Sequence, residues 1–161
     1  MPKQSFTLAE AQKKLEHYCA YQERCHLEVR TKLTSLGMIP LVQDEIITRL
    51  VQNNYLNESR FAQSFVRGKF RFKKWGKERI VRELQQRQIT SYNIQLGLKE
   101  IEPMDYQETF TSLILKFWKQ YETKPYAIRK KKVFDALKYR GWESEMIWNQ
   151  LANLERLKKD E

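Results

Sequence analysis

Glycine and proline are scarce, with five and four copies among 161 residues. Tight hairpin turns draw heavily on glycine, so this scarcity argues against a many-stranded β architecture and for helices with short connections. Two cysteines are too few for a disulfide framework. No stretch reaches the ~18 uncharged apolar residues of a membrane-spanning helix. The start, Met1-Pro2-Lys3-Gln4-Ser5, lacks the apolar core of a signal peptide. A cytoplasmic protein without membrane association is expected. Also missing are the G-x-x-x-x-G-K, G-x-G-x-x-G, G-x-S-x-G and H-E-x-x-H signatures of phosphate, dinucleotide, acyl-transfer and zinc chemistry. The carboxylates are scattered, and no pair is placed for acid–base work. Neither a catalytic residue nor a cofactor is expected, which leaves binding as the mode of action.

Apolar residues are plentiful, at 41%, enough for a packed core. Thr7-Leu8-Ala9-Glu10 has the form of a capping box and starts a helix that runs to about Gln22. A second helix is read from His26 to Leu36, with Gly37 after its end. Pro40 suits the first turn of a third, which carries Ile46, Ile47, Leu50 and Val51. Asn57 is an N-cap for a long helix from Glu58 to about Lys74, with Phe61, Phe65 and Phe72 marking its apolar stripe. Helices from Lys77 to Arg87 and from Ser91 to Ile101 follow, and Pro103 closes that set. Asp105-Tyr106-Gln107-Glu108 can cap the next helix. Pro125 opens another that ends at Gly141, and a last one carries Ile147, Leu151 and Leu154.

These helices repeat. Val29, Leu33 and Gly37 align with Ile80, Leu84 and Gln88, and again with Val133, Leu137 and Gly141. The following residue is apolar each time (Met38, Ile89, Trp142). Further on come Ile47, Leu98 and Leu151, then Leu50, Ile101 and Leu154. Amphipathic helices resemble one another by periodicity alone, but that does not reproduce the same connection length three times. The expected fold is therefore all-α: three tandem three-helix repeats, over 1–56, 57–103 and 104–161, stacked as an elongated curved array.

The net charge of +10 is unevenly spread. Residues 67–87 carry nine Lys/Arg against two Asp/Glu, and residues 124–140 carry seven against one. These windows account for +13, leaving −3 for the rest of the chain. Such concentration points to a polyanionic partner, either nucleic acid or an acidic protein surface. Arg67, Arg71 and Lys74 line one side of the long helix. Arg79, Arg82 and Gln86 face away from Ile80 and Leu84 at about 100° per residue. Lys130 falls between Phe134 and Leu137 and should lay its stem on apolar surface, which makes Lys131 and Lys132 the better contacts. Arg87 and Arg140 occupy equivalent repeat positions. The expected partner- and DNA-binding surface is thus Arg67, Arg71, Lys74, Arg79, Arg82, Arg87, Lys131, Lys132 and Arg140. For any single one of these the competing reading is a solvated helix face.

His17, Cys19, Cys25 and His26 lie within ten positions. A metal site would need them to converge, but residues two apart on a helix diverge, and no C-x-x-C or H-x3-H pair is present. Two reduced, partly buried thiols at a helix corner are expected, with no metal. Among the aromatics interleaved with Lys and Arg at 67–75, most belong to a core. Phe70 and Trp75 are the least accounted for by the stripe and could stack on bases.

The segment Tyr55-Leu56-Asn57-Glu58-Ser59-Arg60-Phe61-Ala62-Gln63-Ser64-Phe65-Val66-Arg67 resembles the signature of the RecX family. Trp75-Gly76-Lys77-Glu78-Arg79-Ile80-Val81-Arg82-Glu83-Leu84 and Glu28-Val29-Arg30-Thr31-Lys32-Leu33 with Gly37 resemble further blocks of it. The likeness extends from about residue 8 to 155. It departs at Gln88, where the family usually has glycine, and at Asn57-Glu58, which replaces a common acidic pair. The resemblance implies tandem three-helix repeats and no catalytic residues. It also implies a protein that binds in the groove of the RecA–DNA filament and inhibits strand exchange, ATP hydrolysis and coprotease activity, hence modulating recombination and the SOS response. The partners it implies are RecA and, through the basic face, single- or double-stranded DNA, and a monomer is expected. The rival reading is a stand-alone basic helical module that binds nucleic acid.

Overall fold

The computed structural model describes residues 5–159, with side chains to Lys158, and Met1–Gln4 lie outside the described residues. Within that span the chain forms nine helices and no strand: α1 (Leu8–Tyr21), α2 (His26–Ser35), α3 (Pro40–Gln52), α4 (Glu58–Lys73), α5 (Lys77–Gln86), α6 (Ser91–Leu98), α7 (Pro103–Gln120), α8 (Tyr126–Tyr139) and α9 (Ser144–Lys159). None of the described helices is long and apolar enough to cross a membrane.

Local chemistry accounts for most of the boundaries. Thr7 and Glu10 form the expected reciprocal cap, the Glu10 N–H donating to Thr7 Oγ1 at 3.1 Å and the Thr7 N–H to Glu10 Oε1 at 3.2 Å. Asn57 Oδ1 accepts the Arg60 N–H at 3.0 Å and starts α4. One start differs from expectation. Helix α7 begins at Pro103 with Glu102 as N-cap, not at Asp105, because a proline's fixed φ and missing N–H suit the first helical position.

The described residues pack as two compact units. The first comprises the residues up to Phe65 together with Leu84–Gly97, and the second comprises Val66–Glu83 together with those from Leu98 onward. In the first, α1, α2 and α3 enclose Ala11, Leu15, Cys19, Val29, Leu33, Ile46, Ile47, Leu50 and Leu56. Arg60 seals its edge, its Nε donating to Glu23 at 2.6 Å and its Nη2 to the Asn54 carbonyl at 3.0 Å. In the second, an aromatic cluster forms the centre. Tyr106 lies 6.0 Å from Phe70 and 4.6 Å from Trp142, which is 5.4 Å from Phe110. Trp142 has no exposed surface at all.

The apolar stripe of α4 differs from the expected one. Phe61 is buried, but Phe72 is 83% exposed and Phe70 takes the inward position. Ala62, Val66 and Phe70 are buried at i, i+4 and i+8 along one face, and Phe72, two residues beyond Phe70, turns to the opposite side.

The repeat register reappears in the backbone. Gly37, Gln88 and Gly141, at equivalent positions, all have positive φ (78°, 59° and 89°). After each, the next N–H reaches back to the carbonyl five residues earlier: Met38 to Leu33 at 3.0 Å, Ile89 to Leu84 at 3.1 Å, and Trp142 to Leu137 at 3.2 Å. This is a left-handed helix terminus built three times at one register.

Candidate functional site

Lys77, Arg79, Lys138 and Arg140 of the second unit meet at the start of α5. Gly76 packs so closely on the turn after α8 that a Cβ there would fall 2.7 Å from Trp142 Cα. That approach lets backbone answer backbone. The Gly76 N–H donates to the Arg140 carbonyl at 2.8 Å and the Glu78 N–H to the Gly141 carbonyl at 3.1 Å. Between them the Lys77 N–H donates to the Tyr106 hydroxyl at 3.0 Å. The hydroxyl in turn donates to Glu143 at 2.7 Å. Burial, with the Glu143 carboxylate beside it, holds the Tyr106 phenol far above the usual tyrosine range. Trp142 Nε1 donates to the Lys74 carbonyl at 3.0 Å, closing the end of α4. The Lys138 ammonium pairs with Glu78 at 2.6 Å.

This joint consumes several of the cations read from the sequence. Arg79 is half-buried, although its helix face predicts exposure. The tight turn at Gly141 presses on its backbone, and its guanidinium lies over the rings of Trp75 (4.1 Å) and Tyr139 (4.8 Å) while donating to the Tyr139 carbonyl at 3.2 Å. Arg140 is likewise engaged, over the Phe117 ring at 4.7 Å and donating to the Ala136 carbonyl at 3.0 Å. Arg67 pairs with Glu100 at 3.2 Å. Arg87 belongs to the first unit, where it lies over Phe65 at 4.9 Å.

The others face water. Arg71, Lys74 and Arg82 are exposed, and none of the three has an ion pair among the described residues. Lys131 is exposed, with Asp135 at 3.8 Å, and Lys132 is exposed, 5.7 Å from the Tyr121 ring. Lys130 lies as expected along apolar surface, near the Tyr126 and Trp148 rings. Lys74 also lines an open cavity of about 360 Å³ with Glu108, Thr109, Ser112, Leu113 and Lys116.

Two members of this surface escape sequence reasoning. Phe72 stands exposed between Arg71 and Lys73, so the run Arg71-Phe72-Lys73-Lys74 presents an aromatic ring flanked by cations. Lys116 shares the Lys74 cavity from a distant helix. A ring with neighbouring cations suits a partner that offers an apolar pocket with acidic rims, or a base with phosphates.

Among the described residues no three of His, Cys, Asp and Glu are grouped to hold a metal ion. Cys19 and Cys25 are buried free thiols, each pushed up to about 11, chiefly by burial.

Residues 57–98 match the family model described as RecX, second three-helix domain. The regulatory protein RecX of Lactobacillus johnsonii is 30% identical over 129 residues, covering 80% of this chain and 48% of that protein. That of Enterococcus faecalis is 28% identical over 145 residues, covering 90% of this chain and 54% of the relative. The chain thus spans about half the length of the curated relatives it matches. Among solved structures, RecX from Lactobacillus salivarius superposes with a TM-score of 0.78 at 23% identity, over 93% of this chain and 97% of that one. A second crystal structure of a regulatory protein RecX gives 0.80 at 23% identity, over 91% and 73%.

Proposed function

We propose that this chain, which belongs to the RecX family, binds the RecA–DNA filament and lowers the recombinase, ATPase and coprotease activities of RecA, and so tunes DNA repair, recombination and the SOS response. It acts without chemistry of its own, as a monomer in the cytoplasm. Its three-helix repeats, over 1–56, 57–103 and 104–161, serve as a scaffold for contact surfaces. The relatives named regulatory protein RecX support the regulatory part. The observation that carries the binding part is the exposed run Arg71-Phe72-Lys73-Lys74, with cations that no carboxylate ion-pairs among the described residues. Unpaired charge held together on a folded surface costs self-repulsion, which a polyanionic or acidic partner offsets.

The deciding experiment follows ATP hydrolysis by RecA on single-stranded DNA as this protein is added. A falling rate, more strongly affected at low salt, is expected. An unchanged rate with the protein in excess refutes the reading. The rival, a stand-alone nucleic-acid-binding module, predicts equal affinity for naked and RecA-coated DNA.

A further inference from the structure

The first unit carries only +2 of the chain's net +10, yet it contains a cationic pocket. Lys14, His17, Tyr18 and Tyr21 stand at i, i+3, i+4 and i+7 along α1, on one helix face. With Arg24 from the following turn, and Lys32 and Leu36 across from them, they line an open cavity of about 440 Å³. Among the described residues no carboxylate lines it.

The pocket is held in place. The Arg24 guanidinium lies 3.6 Å from the centre of the Tyr18 ring, and its Nε donates to the Tyr18 carbonyl at 3.0 Å. The side chain of Arg24 is only 12% exposed. Lys32 approaches the same ring, its ammonium 5.8 Å from the centre. Two cations on one ring repel each other. Glu28 lies 3.6 Å from Arg24, and its other oxygen accepts the Cys25 thiol at 3.3 Å. Neither Lys14 nor Lys32 has an ion pair among the described residues. The pocket therefore holds more positive charge than its surroundings neutralise. Beside it the ring of Tyr21 is 84% exposed, and Leu36 adds an apolar wall.

We propose that this pocket is a separate anion site that takes one nucleotide unit, with the phosphate on Lys14 and Lys32, in the field of the fixed Arg24, and the base against Tyr21. A multivalent phosphate answers clustered cations better than a single carboxylate does. The flat exposed ring favours a ligand with a π face over an acidic peptide. The volume falls within the ~300–1,000 Å³ of small-ligand pockets. The site shares no residue with the Arg71–Lys74 run, so it stands or falls independently of any action on RecA.

The test follows the tyrosine ring resonances of tyrosine-labelled protein during titration with thymidine 5′-monophosphate, ATP, a thymidine octanucleotide and hexaglutamate. The nucleotides should shift Tyr18 and Tyr21 while hexaglutamate leaves them in place. The double variant Lys14→Glu/Lys32→Glu should bind tenfold or more weakly, and Tyr21→Ala, which removes only exposed surface, should weaken the base-bearing ligands but not inorganic phosphate. A tighter octanucleotide assigns the site to a strand, and equal affinity assigns it to free nucleotides; both support the proposal. Shifts as large with hexaglutamate, no shift with millimolar ATP, or unchanged binding by the double variant overturn it.

Discussion

Replacing Gly141 by alanine tests the reasoning about the joint most directly, because two sister positions serve as internal controls. Gly37, Gln88 and Gly141 share one backbone conformation but differ in what surrounds them. An added Cβ at Gly37 meets nothing within 4 Å, so Gly37→Ala carries only the left-handed strain, about 1–2 kcal/mol. At Gly141 the same Cβ collides with the Arg79 backbone, including its Cα at 2.8 Å. Backbone cannot rotate aside as a side chain does, so the turn must lift off α5. Overpacking of this kind adds about 1–3 kcal/mol. The lifted turn also weakens the hydrogen bonds from Gly76 N–H and Glu78 N–H, each worth about 0.5–1.5 kcal/mol. Gly141→Ala should therefore cost about 2–4 kcal/mol more than Gly37→Ala. Gln88→Gly runs the other way: relief of about 1–2 kcal/mol of strain is reduced by about 0.4–1 kcal/mol of unfolded-chain entropy, a small net gain. Urea denaturation of the three variants, followed by circular dichroism and tryptophan fluorescence, gives all three values. Equal losses for Gly37→Ala and Gly141→Ala would refute the close approach of α5 to the turn after α8.

Two further outcomes are expected. Phe72→Ala should leave the melting temperature unchanged, within about 0.5 kcal/mol, since it removes exposed surface. The charge reversal Arg71→Glu/Lys74→Glu should equally spare stability while weakening binding to RecA-coated DNA and flattening its salt dependence; a variant that melts early, or binds as before, contradicts the assignment. Cys19 and Cys25, at about 11 against an ordinary 9.0, should react sluggishly with thiol reagents at pH 8 in the folded protein. The raised values also set a sign. The fold favours the neutral thiols, so this stability is complete below pH 9 and is lost as pH rises toward 11. Stability measured in Cys19→Ala and Cys25→Ala backgrounds should lose part of that alkaline slope.

The helices were legible because their ends carry their own chemistry: Thr7 with Glu10, Asn57, and Pro40 at a first helical position; the start of α7 at Pro103 was missed because proline there reads equally as an end. The repeat was legible because most of its apolar positions are buried, from Val29 and Leu33 to Val133 and Leu137. Periodicity says which residues share a helix face but not what that face meets. Phe72 therefore read as core with Phe61 and Phe65, while the buried stripe of α4 runs through Ala62, Val66 and Phe70. Arg79 and Arg140 read as contact residues although neighbouring rings and carbonyls occupy them. The pocket around Tyr18 was hidden for another reason. Charge counted along a window averages Lys14, Arg24 and Lys32 with the acids between them, and only folding brings the three to one cavity.

The joint at the start of α5 also bears on how the protein emerges during synthesis. The carbonyl of Lys74 and the amides of Gly76, Lys77 and Glu78 find their partners in Tyr106, Arg140, Gly141 and Trp142. Until that later stretch has left the ribosome, the end of α4 and the beginning of α5 have only water to satisfy them. The second unit thus has to wait for the residues from Tyr106 to Trp142, whereas α1 to α3 enclose their core from residues no further along than Leu56 and can close before that stretch is made.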